Sequence, residues 1–106
     1  MGSFDTVKIN EDSYQTKAFG KSLKEFTVGD EVTVFRAPVT EEEFFESFEG
    51  VLFTDKIESP VFQVECLDSY LNVKWITIFD NTIASVGSRD ASLPAFDYYG
   101  RLLKNS

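Results

Sequence analysis

Tyr70-Leu71-Asn72-Val73-Lys74-Trp75-Ile76-Thr77-Ile78-Phe79-Asp80-Asn81-Thr82-Ile83-Ala84-Ser85-Val86 is the stretch that decides the fold. Its first ten residues are rich in β-branched and aromatic side chains, which suit a pleated, half-buried surface. Asp80-Asn81 then offers a two-residue hairpin loop, because Asp and Asn tolerate positive φ. Thr82–Val86 returns as the partner strand and stops at Gly87. Working backwards, Val61-Phe-Gln-Val-Glu-Cys-Leu67 alternates in the same way, and Asp68-Ser69 supplies the turn between the two runs. Three strands at about ten-residue spacing predict a β-meander.

Further strands are expected upstream. A Gly29-Asp30 turn feeds Val32–Arg36, which Pro38 ends because proline cannot donate to a ladder. Val51–Ile57 reads as another strand. Residues 4–28 alternate weakly and predict two or three short strands or extended pieces. The tail, 88–106, contains Pro94, Phe96, Tyr98, Tyr99, Leu102 and Leu103, and is expected either as a short docking helix or as an extended cover. The whole predicts one domain over 1–106, mainly β: a small antiparallel barrel, SH3-like or related, of five to seven strands. One segment differs. Thr40 followed by Glu43 has capping-box spacing, Glu41, Glu42 and Glu43 suit a helix N-terminus, and Gly50 is a natural stop. A short acidic helix over 41–49 follows.

Charge is unevenly placed. Residues 25–70 hold twelve carboxylates against Arg36 and Lys56, a net of −10, whereas residues 1–24 and 71–106 each sum to +1, giving −8 for the chain. The densest part is the helix itself, where Glu41, Glu42, Glu43, Glu46 and Glu49 interleave with Phe44, Phe45 and Phe48. These eight residues are the candidate partner-binding set: the carboxylates steer a cationic partner and the rings supply apolar grip. The plainer expectation for the three phenylalanines is that they pack inward and leave the carboxylates facing water.

Most catalytic classes are excluded. The absence of histidine removes Ser-His-Asp and Cys-His catalysis and the commonest metal ligand. One cysteine, Cys66, excludes an internal disulfide and a thiolate zinc site, and its place in an alternating run predicts a small buried hydrophobe. No Gly-rich phosphate loop and no EF-hand loop occur, so neither a cofactor nor a metal is expected. A carboxylate pair of the glycosidase type cannot be singled out among eighteen acidic residues. Lys17, Lys21 and Lys24 are the nearest approach to a basic patch, and the net charge opposes direct nucleic-acid binding. No apolar run approaches the roughly 20 residues that span a bilayer. Gly2 and Thr6 fit the loose myristoylation pattern, but no basic patch follows to supply a second membrane signal. The opening residues lack a signal-peptide pattern, so a cytoplasmic protein is expected.

The opening Met1-Gly-Ser-Phe-Asp-Thr-Val and the later Tyr14-Gln-Thr-Lys17 resemble small uncharacterised proteins of bacteriophages and prophages. Those open MGxFD and carry an aromatic-Gln-Thr-Lys a short way on; the match covers about the first 20 residues. Several such proteins carry a cysteine pair between the motifs, where this chain has Lys8-Ile-Asn-Glu-Asp-Ser13, so no metal role is implied here. The resemblance implies a phage setting, in which small acidic proteins bind and redirect host proteins. A non-catalytic binder of a host or phage protein is the expectation, with a virion or assembly accessory that self-associates as the alternative.

Overall fold

The hairpin at Asp80-Asn81 forms as expected: both residues have positive φ, 50° and 65°. It joins two strands of a mainly β fold. The computed structural model describes residues 4–20, 23–55, 57 and 59–103. Over these, the strands are β1 (Asp5–Ile9), β2 (Asp12–Thr16), β3 (Glu25–Phe26), β4 (Val61–Leu67), β5 (Val73–Phe79), β6 (Thr82–Gly87) and β7 (Ala95–Phe96). One helix, α1 (Glu41–Phe48), lies between β3 and β4. The Met1–Ser3 opening of the phage-like motif, with the myristoylation glycine, and Lys21 of the lysine group lie outside the described residues.

The strand order is β3-β1-β2-β4-β5-β6, with β7 also on β4. β4 pairs with β5 over its full length, from Val61–Phe79 to Leu67–Val73. Its other edge is shared: Leu67 meets Gln15 of β2, while Gln63 and Val64 meet β7. Alternation sets the core. Val64 and Cys66 on β4, Ile76 and Ile78 on β5 and Ile83 on β6 point to one side, where Val7, Phe19, Val32, Val34 and Phe96 meet them. A bulge leaves Ala84 unmatched between Ser85–Thr77 and Ile83–Ile78.

The opposite face of β4 is covered at one point. Gln63 is buried, and its amide is fully used: Nε2 donates to Thr77 Oγ1 (3.2 Å) and to the Ser88 carbonyl (3.0 Å). Its Oε1 accepts from Arg89 Nη1 (2.9 Å) and the Asp90 N–H (2.8 Å). A buried amide with all its groups paired holds a loop firmly. This one ties the 88–94 loop to the sheet, where Arg89 also lies over Trp75 (5.2 Å).

Two expectations need correction. The pairing is mixed rather than antiparallel, because β3 runs parallel to β1 and β7 parallel to β4. The described ladders run as one open mixed sheet. Among the described residues, 32–36 and 51–57 make no ladder: Arg36 bridges to Phe53, and Glu31, just ahead of the first run, bridges to Thr82. Side chains have drawn these segments elsewhere, as the Asp55 carboxylate shows by accepting from the Leu102 N–H (3.1 Å). The described part of the tail, 88–103, holds no helix; it turns at Asp90–Leu93 and Asp97–Gly100 on either side of the short β7, and Leu102 bridges back to Phe96.

Gly100 marks where this tail crosses the segment after Val34. It has φ +81°, and a Cβ there would overlap the Phe35 carbonyl oxygen. Gly50 has φ +90° with open space around it. Gly100→Ala is therefore expected to cost about 2–4 kcal/mol, overlap added to left-handed strain, and Gly50→Ala about 1 kcal/mol. Urea unfolding of both variants checks the order; equal costs would contradict the close crossing.

Candidate functional site

The α1 segment has strong local signals at both ends. Thr40 Oγ1 accepts from the Glu43 N–H (3.1 Å), satisfying a first-turn donor. At the other end Gly50 N–H donates to Ser47 O (3.1 Å) and Val51 N–H to Glu46 O (3.3 Å), the paired bonds of a Schellman stop around a left-handed glycine. The reciprocal half of the capping box is displaced by one residue. Glu43 Oε1 accepts from the Val39 N–H (3.0 Å).

Glu43 has a further partner that decides how the helix sits. Arg36 Nη1 and Nη2 donate to its two carboxylate oxygens at 2.8 Å each, a planar two-pronged pair. Arg36 Nε lies 3.2 Å from Asp55 Oδ1, and the guanidinium stacks on Phe53 at 5.2 Å. The Arg36 side chain is only 14% exposed. Hydrogen bonds from Arg36, then from the Val39 N–H, hold the Glu43 carboxyl down at about 2. Among the described residues, the extensive element-to-element packing is all between strands, and this clasp ties α1 to the segments around Arg36 and Phe53.

The consequence is an outward-facing apolar face. Glu43, Glu46 and Ser47 are half-buried on the inner side, while Phe44, Phe45 and Phe48 are 54%, 61% and 72% exposed. The inward packing expected of the phenylalanines is not what the structure has. Phe44 and Phe48 touch edge to face at 4.9 Å, as residues four apart on a helix do. Together with Phe35, Pro38, Val51 and Leu52 they wall a cleft of about 340 Å³. Leu52 is itself exposed. Fully burying one phenylalanine side chain is worth about 1.5–3 kcal/mol, so the exposed rings hold substantial unused binding energy.

The eight residues singled out in the sequence all lie on α1 or at its C-cap; Glu41, Glu42, Phe44, Phe45, Phe48 and Glu49 are exposed, Glu46 is half-buried, and Glu43 does not serve as a free carboxylate. No ion-pair partner is found for Glu41, Glu42, Glu46 or Glu49 among the described residues. Sequence reasoning missed Arg36, Asp55 and Leu52. The signal for Arg36 was present: it is one of only two cations in the acidic third, and an isolated cation among carboxylates is a natural clasp.

Other groups that could carry chemistry are committed elsewhere. Cys66 is fully buried, and desolvation, then Asp68 and Glu65, push its thiol up to about 12. Asp68 accepts from the Tyr70 and Asn72 N–H groups, and these bonds lower its pKa. Among the described residues no cluster of three or more His, Cys, Asp or Glu could hold a metal ion, and no helix is long and apolar enough to cross a membrane. Comparisons with protein-family models, curated proteins and solved structures find no match to this chain.

The clasp has a defined pH dependence. The Glu43 pKa is depressed in the folded protein, so its contribution is present above the ordinary carboxylate range and is lost as pH falls from about 4.5 towards about 2. An NMR titration of the Glu43 carboxyl is expected to give a midpoint near 2, and Arg36→Met to return it to the ordinary range. A wild-type midpoint near 4.5 would contradict the clasp.

Proposed function

We propose that this protein is a non-catalytic, phage-type binding protein whose acidic, aromatic helix α1 engages a host or phage protein. The partner is one with a basic surface, of the kind nucleic-acid-binding proteins present. Occupying that surface would make the protein an inhibitor or redirector acting in the host cytoplasm, without direct contact to nucleic acid. The observation that carries this reading is the orientation of α1: its phenylalanines face solvent beside carboxylates that have no cation partner among the described residues. Charge raises the encounter rate and buried rings hold the complex. The phage setting rests on the resemblance of the first 20 residues.

The scaffold of this proposal is a barrel, SH3-like or related. Its support is that residues next to each other in the chain serve opposite sheet edges. β3 pairs with β1, while the Gly29 N–H donates to Ile83 O on β6, the Val32 N–H to Asn81 O in the β5–β6 turn, and the Ile83 N–H to Asp30 O. A second functional reading, a virion or assembly accessory, draws on Tyr70 and Leu71, which are 86% and 68% exposed at the β4–β5 turn. Light scattering separates the two, since a monomer fits the binder and a larger assembly fits the accessory.

The carboxylates are tested without touching Glu43. Reversing Glu41, Glu42 and Glu49 to Lys is expected to leave thermal unfolding nearly unchanged. Capture from host lysate of the protein bound by the wild type should fall at least about tenfold, roughly 1.4 kcal/mol. Wild-type capture is also expected to weaken as salt rises. Undiminished capture by the reversed variant at physiological salt would contradict the proposal.

A further inference from the structure

The surface of α1 is graded, and the gradient specifies more than a positive charge. Residues four apart form rows along a helix. The row Phe44–Phe48 is apolar and borders the cleft. The next row runs Glu41–Phe45–Glu49, and the one beyond it, Glu42–Glu46, is wholly acidic. Across roughly half the helix circumference the surface therefore passes from an apolar groove to carboxylate. On the cleft side, Val51 and Leu52 continue the apolar floor beyond the Phe44–Phe48 row. Two cations, Arg36 and Lys17, also border the cleft: the Arg36 charge is countered by Glu43 and Asp55, and the Lys17 ammonium lies over the Tyr99 ring at 5.6 Å, so the basic border of the guest belongs on the carboxylate side of α1 and not in the cleft.

We infer that the cleft between α1 and Val51–Leu52 receives an amphipathic α-helix carrying a Leu-type apolar stripe with Lys or Arg along one border. This rests on the reading of α1 as a partner site and names the form of the partner segment. Charge complementarity selects the cationic border, since Glu41, Glu42, Glu46 and Glu49 have no described internal cation. The geometry of the rows selects the helix. A helix places an apolar row directly beside a basic row, as the gradient of α1 requires, and its ridges fit the grooves between the rows of α1. An extended strand sends successive side chains to opposite faces and offers no such paired rows. The volume of about 340 Å³ suits one or two large apolar side chains, which anchors the stripe at Phe48 and Leu52.

The probe is a synthetic 18-residue peptide of Leu and Lys in helical amphipathic order. Two controls accompany it: a scrambled peptide of the same composition, and the amphipathic peptide with Glu in place of Lys. Fluorescence anisotropy near physiological salt is expected to show saturable binding of the first, at least about tenfold tighter than the scramble. Binding of the Glu peptide should be undetectable. Circular dichroism should show the bound peptide as helical. Phe48→Ser and Leu52→Ser change exposed side chains, so folding should survive, and each should reduce the preference over the scramble. Equal affinity for ordered and scrambled peptides would overturn the inference, as would a preference that both substitutions leave intact. The charge-reversal capture reads the carboxylates and not the cleft. Partner capture that is lost on charge reversal, beside peptides that bind alike, would thus reject the helix and keep the partner site.

Discussion

The Arg36 guanidinium, stacked on Phe53 and held by Glu43 and Asp55, joins three parts of the chain that no ladder joins. Its backbone N–H donates to Phe53 O (2.6 Å), closing the excursion that contains α1. Asp55, held from one side by Arg36, accepts from Leu102 in the tail. On either side of Arg36, Phe35 N–H donates to Ala18 O and Ala37 N–H to Tyr99 O, and the tail crosses tightly at Gly100. A two-pronged arginine–carboxylate pair is directional as well as attractive, so it sets the rotation of the helix about its axis and not only its position. With Glu43 turned inward, residues one and five places further along, Phe44 and Phe48, fall at the outer rim.

That rotation explains why the fold was more legible in the sequence than the site. The β4–β5–β6 meander rests on alternation and on a turn whose two residues accept positive φ, and both are local signals. The ends of α1 were legible for the same reason, from Thr40 and Gly50. A pattern of phenylalanines on a helix, however, says only that they share a face. Whether that face turns to the core or to solvent depends on Arg36, which is nowhere near the helix in pattern terms and acts through one contact.

The failures elsewhere share that cause. The Val51–Ile57 run has the composition of a strand, but Phe53 is spent on Arg36 and Asp55 on Arg36 and the tail, leaving a single bridge where a ladder was expected. The parallel pairs β1–β3 and β4–β7 have no turn to set their register, and two-residue strands leave no periodicity to read. In each case contacts distant in sequence override a local preference.

Over the described residues the molecule is thus a sheet with a hydrophobic core and a polar-anchored helix that leaves more than half of each of its three phenylalanines exposed. The outward orientation of the three rings is the claim on which the functional account turns. It is tested most directly by the relaxation that a soluble gadolinium chelate imposes on aromatic protons in the free protein. The ring protons of Phe44, Phe45 and Phe48 should broaden strongly while those of buried Phe19 and Phe96 stay sharp. Protection of the three helix rings equal to that of Phe96 would contradict it.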